Sequence, residues 1–263
     1  MTEKGSMELR VHPWAMIERT ATLELGAQIG AFSVIGDAVS LGRHVRVASH
    51  VVLEGPARIG DGSYIAPFAS VGLPAQVRET SGERCAGVQL GERCSIREQV
   101  SIHASTGLRP TTLGNDCLLM VGSHVAHDCV LGERVSVANR VMLAGHVAVG
   151  DDVVIGGGAA VQQHVRIGRV AFLAGGAMLE RDLPPFCRAA GDRARMCGLN
   201  KVGLRRVGID GDALRGLELA YRWLFRDDRP LAEAMRRVTQ ELGEQPLVQE
   251  LLSFVQSSRG ICR

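Results

Sequence analysis

The sequence predicts a parallel β-helix followed by a small α-helical domain, and three observations carry the prediction. Aliphatic residues recur at every sixth position, from Val11, Ile17, Leu23 and Ile29 through Ile65 to Val71, again at Leu90, Ile96 and Ile102, and then without a gap from Leu113 to Leu179. Four places after each aliphatic stands a small or β-branched residue, as at Ser33, Val45, Ala57, Ser63, Cys117, Ser123, Cys129 and Val135. The residue directly after the aliphatic is often Gly (Gly30, Gly36, Gly42, Gly60, Gly114, Gly132, Gly150), which suits close approach or a positive φ. One inward aliphatic per short strand, with three hexapeptides to a turn, would stack residues 18 apart at about 4.8 Å. No helix has this period. A sandwich of alternating strands would show irregular lengths and hairpin dipeptides such as Asn-Gly, which the repeat region lacks.

Taken in order, the coil occupies residues 1–183 with two insertions, near 73–89 and 104–112. The first carries Pro74, Gln76, Arg78, Glu79, Glu83 and Arg84, the second Thr106, Gly107, Arg109 and Pro110. Loops projecting from a rigid scaffold commonly carry binding groups. The repeat ends at Leu183-Pro184-Pro185, and residues 184–263 are expected to be helical. From Asp212 to Phe225, Leu214, Leu217, Tyr221 and Leu224 share one helical face; Leu231 to Leu242 and Leu247 to Val255 give two more helices, each opened by a proline.

Composition narrows the function classes. A formal net charge of +2 over 263 residues gives no reason to expect nucleic acid. No apolar run approaches the roughly 18 residues of a membrane span. Met1 to Arg10 is charged and lacks an apolar signal core, so the cytoplasm is the expected location. Seven cysteines without a Cys-x-x-Cys pair argue against a disulfide framework or a zinc knuckle; Cys94, Cys117 and Cys129 fall at small inward positions and should be buried thiols. From Arg181 onward there are 15 Lys and Arg against 11 Asp and Glu, a surface that suits an acidic partner.

The polar chemistry concentrates between Leu119 and His146, where His124, His127, Asp128, Asn139 and His146 interrupt small and aliphatic residues. Asp128, His146 and His164 are each 18 apart and should form one outward column, with His127 beside its foot. A histidine next to a carboxylate is the arrangement of a general base, because the carboxylate fixes the imidazole tautomer and stabilises the imidazolium. The Gly145 N–H could stabilise a developing oxyanion. Ser123 lies at an inward position, so direct transfer to a bound acceptor is simpler than a covalent intermediate. Two other readings remain: packing of coils side by side against the histidines, and a zinc site of the γ-carbonic anhydrase type.

His124-Val-Ala-His127-Asp128-Cys, Leu143-Ala-Gly145-His146, Ile155-Gly-Gly157, the Leu183-Pro-Pro turn and the closing Ser258-Arg-Gly-Ile resemble, in order and spacing, the acyl-carrier-protein-dependent UDP-N-acetylglucosamine O-acyltransferases of lipid A synthesis. The resemblance runs over nearly the whole chain. It implies a homotrimer of left-handed β-helices with active sites between neighbours, an acyl-carrier-protein thioester as co-substrate, and no cofactor or metal. It further implies His127 as the base for the sugar 3-hydroxyl, Asp128 as its orienter and Gly145 as oxyanion donor. His124, His146, Gln163 and Asn139 match substrate positions, as do Gln76, Arg78, Gly157, Asn200 and Arg206, and Gly175 matches the glycine that leaves room for a longer acyl chain. The chain departs from that pattern at several places. Gln76-Val77-Arg78-Glu79 stands where the family has Gln-Asp-x-Lys, Gln162 replaces a histidine, and Val202 and Val207 replace charged residues. These departures keep open an alternative nucleotide sugar and either O- or N-acylation. The N-acyltransferase of the same pathway resembles the chain less, since its repeats follow a uridine-binding domain, and a scaffold role would be marked by no binding of acyl carrier protein.

Overall fold

The computed structural model describes residues 8–78 and 85–263. Among the described residues the repeat builds a three-sided coil whose sides are parallel sheets of nine, nine and eight strands, here called the first, second and third sheets in the order the chain visits them; two later strands extend the first sheet to 11. Most strands are two or three residues long. Residues 18 apart pair directly, as in Leu119↔Val137, Val125↔Leu143 and Leu131↔Val149. Backbone N–H groups of alternate residues bond a carbonyl one turn on, for example His124 N–H to Val141 O at 2.8 Å and Ala126 N–H to Leu143 O at 3.0 Å. The ladder therefore satisfies the main chain while every sixth side chain fills the axis.

That axis is dry. Ile35, Leu41, Leu53, Ile65, Leu119, Val125 and Leu143 are fully buried, and the small positions between them (Ser33, Ser63, Ser123, Cys129, Val135) are equally enclosed. Cys94, Cys117 and Cys129 are free buried thiols, as their places in the repeat predict. The glycine after the aliphatic is explained by close approach: a Cβ on Gly114 would stand 2.6 Å from the Gly132 carbonyl carbon. Positive φ falls mostly two residues later instead, on glycines such as Gly62 and Gly122 and on non-glycine residues such as Phe32, His50, Asp128, His146 and His164. These left-handed residues turn each corner.

Both insertions leave the second sheet, after the strands Ser70–Leu73 and Ser101–His103, and both rejoin the third. They therefore project from one corner, the second–third corner, one turn apart. Glu79, Glu83 and Arg84 of the first insertion lie outside the described residues.

Past residue 183 the sheet continues where helix was expected. Cys187–Ala190 pairs in parallel with the strand Phe172–Leu173, then Arg195–Leu199 folds back antiparallel against it. Phe172↔Arg188 is a step of 16 residues, so the six-residue period does not reveal it. Helices follow: α1 (Lys201–Arg206), α2 (Gly211–Phe225), α3 (Leu231–Leu242) and α4 (Pro246–Ser257). α2 buries Leu217, Ala220, Tyr221 and Leu224; α4 starts on Pro246 at its first turn and buries Val248, Leu251, Leu252 and Val255. The tail is tied to the last turn of the coil, where Asp182 binds Arg166 at 3.0 Å and accepts from Ser258 Oγ at 2.8 Å, while Glu250 on α4 binds Arg169 at 2.8 Å. No helix among the described residues is long and apolar enough to cross a membrane.

Candidate active site

The second–third corner gathers the polar residues. His127 follows the strand His124–Val125, and Asp128 occupies the left-handed turn position beside it. Stacking at 18 residues sets Gly145 and Gln163 in register with His127, and His146 and His164 in register with Asp128. The expected column is present. The His146 and His164 rings stack at 4.6 Å, His127 meets His146 edge-on at 5.1 Å, and His146 Nε2 lies 3.7 Å from Asp128 Oδ2.

His127 Nδ1 is 2.7 Å from Asp128 Oδ2, with both side chains largely buried at 12 and 13 % exposure. The carboxylate only accepts, so Nδ1 carries the proton, and in the neutral ring Nε2 presents a lone pair. Gly145 lies against the other edge of that ring: a Cβ there would stand 2.6 Å from both Cε1 and Nε2 of His127. The Gly145 N–H donates to no acceptor among the described residues. The residue packed against Nε2 thus carries an unengaged backbone donor.

Asp128 is held from the second insertion. Thr106 donates its hydroxyl to Oδ2 at 2.7 Å and its backbone N–H to both carboxylate oxygens at 3.2 Å, and Thr111 Oγ1 accepts the Asp128 N–H at 2.8 Å. Burial alone would raise the Asp128 carboxyl pKa, but the hydrogen bonds from His127 and Thr106 outweigh it and hold the group below the usual carboxylate range. His124 faces outward on the second sheet, with Nδ1 2.7 Å from Ser101 Oγ and its ring edge-on to His103 at 5.0 Å. Burial lowers the pKa values of His124 and His103, reinforced for His124 by His103 and His127 and for His103 by His127. His146 is lowered mainly by burial, with Asp128 opposing. These imidazoles are consequently neutral near pH 7. Ser101, His103, Thr106 and Thr111 were not among the sequence candidates; Thr106 was visible only as an insertion residue, since its contact crosses a loop.

The remaining candidates sit elsewhere on one chain. Asn139, Gly157 and Gly175 form a second column, 18 apart, at the first–second corner, all exposed; a Cβ on Gly175 would approach Gly157 O at 3.2 Å. Below them on that corner, Trp14, Phe32, His50 and Phe68 stack at 5.0–5.2 Å. Asn200 and Arg206 line a cavity of about 700 Å³ between α1 and the outer face of the first sheet, with Arg134, Phe172, Arg188 and Lys201. Asn200 is also structural: its Oδ1 accepts from Gly203 N–H at 3.1 Å to cap α1, and its Nδ2 donates to Val170 O at 2.8 Å. Gln76 and Arg78 are exposed in the first insertion, which leaves the same corner two turns to the N-terminal side of His127, and Arg78 has no carboxylate partner among the described residues.

His127, Asp128 and His146 bring three donor atoms within 4.8 Å, a set that could in principle hold a cation. Two ligands of a tetrahedral zinc, each about 2.0 Å from the metal, stand about 3.3 Å apart. The 2.7 Å contact is a hydrogen bond instead, and Oδ2 is already engaged by Thr106. The set fits proton transfer better than metal binding.

Residues 182–262 match the family model for domain 2 of Udp N-acetylglucosamine O-acyltransferase, and residues 110–145 match the bacterial transferase hexapeptide model. The acyl-[acyl-carrier-protein]–UDP-N-acetylglucosamine O-acyltransferase of Thermodesulfovibrio yellowstonii is 41% identical over 256 residues, covering 96% of this chain and 99% of that one. Among solved structures, LpxA of Acinetobacter baumannii superimposes with a TM-score of 0.92 at 34% identity, over 96% of this chain and 99% of that chain. The UDP-N-acetylglucosamine acyltransferase of Arabidopsis gives 0.85 at 31% identity, over 96% and 100%. The chain is an acyltransferase of the hexapeptide-repeat class, and it belongs to the acyl-carrier-protein-dependent UDP-N-acetylglucosamine O-acyltransferase family.

Proposed function

We propose that this protein moves an acyl chain, of the 3-hydroxyacyl kind, from an acyl-carrier-protein thioester to the 3-hydroxyl of UDP-N-acetylglucosamine in the cytoplasm, the first step of lipid A synthesis. The observation that carries the mechanism is the 2.7 Å pairing of His127 Nδ1 with Asp128, which leaves the Nε2 edge of the ring against Gly145, whose N–H is unengaged. Nε2 takes the proton of the sugar hydroxyl as its oxygen attacks the thioester carbonyl. The Gly145 N–H binds the oxyanion of the tetrahedral intermediate. Collapse breaks the carbon–sulfur bond, and the departing thiolate recovers the proton from the imidazolium. Asp128 stabilises that imidazolium without taking its proton. The co-substrate supplies the activated acyl group, so the scheme uses no metal or other cofactor.

His124, His146 and Gln163 would hold sugar or acyl groups beside the base, with Gln76 and Arg78 reaching in from the first insertion. Asn139, Gly157, Gly175 and the Asn200 and Arg206 cavity belong to other faces of the same chain. They serve the reaction if a neighbouring copy in a homotrimer brings its first–second corner to the His127 corner. The exposed rings of Trp14, Phe32 and Phe68 on that corner fit a surface covered by such a neighbour.

A second reading, transfer to another nucleotide sugar, rests on Val77 and Val202, exposed apolar side chains at two expected polar contacts. Mass spectrometry of the products from a panel of acyl-carrier-protein thioesters and UDP-N-acetylglucosamine tests both. The expected product is an O-acylated nucleotide sugar, with His127→Ala slower by about 10²- to 10⁴-fold. Intact thioesters with the wild type would redirect the assignment to other acceptors, and undiminished transfer by the variant would remove His127 as base.

A further inference from the structure

We infer that Thr106 is a positioning residue for the reaction: it clamps the Asp128 carboxylate through its hydroxyl and its backbone N–H, and so sets the geometry in which Asp128 holds His127. The inference rests on the proposed role of His127 as base. Asp128 sits at a left-handed turn position with φ of 61°, so its side chain is aimed by the corner rather than by a regular strand. A carboxylate there could turn toward His127, toward His146 at 3.7 Å, or toward solvent. Three contacts from one residue remove that freedom: the Thr106 hydroxyl reaches Oδ2 at 2.7 Å, and its N–H is shared between Oδ1 and Oδ2 at 3.2 Å each. Oδ2 receives the Thr106 hydroxyl and the His127 N–H together, so the oxygen that orients the base is the one Thr106 fixes.

The clamp has its own support. Ser105 donates its N–H to Gly87 O at 3.1 Å, Ala86 N–H bonds Gly107 O at 3.0 Å, and the Cys85 thiol bonds Ser105 O at 2.8 Å. The segment closing the first insertion therefore braces the segment carrying Thr106. Thr111, fully buried where the second insertion ends, takes the Asp128 N–H and fixes the backbone beneath the carboxylate. Both Thr106 contacts favour the charged carboxylate, so their loss makes Asp128 easier to protonate.

Two measurements on the full-length protein decide the matter. In the first, the ¹³C carboxyl signal of Asp128, identified by its absence in Asp128→Asn, is titrated in wild type, Thr106→Val and Thr106→Ser. Thr106→Val should move its titration to higher pH and Thr106→Ser should restore it; an unmoved titration in Thr106→Val overturns the inference. This reading needs no substrate, so it stands apart from the identity of the acceptor. In the second, Thr106→Val should lower kcat about 10-fold with KM little changed, the size of one hydrogen bond to a charged group. Thr106→Ser should recover the rate, and Thr106→Val should add no loss in an Asp128→Asn background. A wild-type rate in Thr106→Val, or a loss that persists in the Asp128→Asn background, would place Thr106 outside the relay. A wild type that transfers no acyl group fails the proposed function instead, while the titration still decides the clamp.

Discussion

The His127 ring fills the space that a side chain on Gly145 would need. Crowding of this kind concentrates titratable groups where water is scarce, and stability should register it. His103 is 6 % exposed, its Nδ1 has no hydrogen-bond partner, and burial followed by the nearby His127 lowers its pKa. As pH falls below about 6.5, the unfolded chain takes up a proton that folded His103 resists, so its contribution is present above that pH and lost on acidification. Thermal unfolding between pH 7.5 and 5.5 should therefore show a shallower acid loss in His103→Gln than in wild type. Equal slopes would mean that His103 is not the group involved. The spacing of Asp128, His146 and His164 made their column legible in advance, because an 18-residue repeat turns sequence distance into spatial register. Nothing comparable announced Thr106, Ser101 or His103, whose partners lie across an insertion or an extra turn.

Elements followed the same division. Every strand governed by the hexapeptide period could be placed from its aliphatic residue, and the helices α2, α3 and α4 from their apolar faces and flanking prolines. Where the period lapses the signal fails: the hairpin of residues 187–199 joins the first sheet after a 16-residue step, and α1 has six residues, too few for a helical period to show. Asn200 joins these two unheralded elements. It caps α1 through Gly203 N–H and anchors it to the coil through Val170 O, with its own N–H bonded to Phe186 O at 2.7 Å. Asn200→Ala removes the cap and the anchor together and should cost about 1–3 kcal/mol. Urea unfolding of the variant measures this; an unchanged midpoint would show that α1 is held by packing of Leu204 alone. A fall in activity for this variant must accordingly be separated from a fall in helix content, since the residue expected to bind substrate also builds the wall of its cavity.

At the scale of the whole molecule, the candidate residues divide between faces that a single coil cannot bring together. His127, Asp128, Gly145 and both insertions occupy the second–third corner, whereas Asn139, Gly157 and Gly175 occupy the first–second corner and Arg206 lies over the first sheet. A rigid ladder of backbone hydrogen bonds forbids closing that distance by bending. If all these residues serve one reaction, each site must combine the His127 corner of one copy with the first–second corner of the next, as a head-to-tail ring provides. Complementation tests this directly. His127→Ala and Arg206→Ala should each be severely impaired alone, and Arg206 is exposed, so its loss leaves the fold intact. Unfolding and refolding an equal mixture should yield sites that draw both intact surfaces from different copies, about a quarter of the total if mixing is random. Activity near that fraction would establish a shared site. A mixture no more active than its components would require each chain to act alone, with Arg206 outside the reaction.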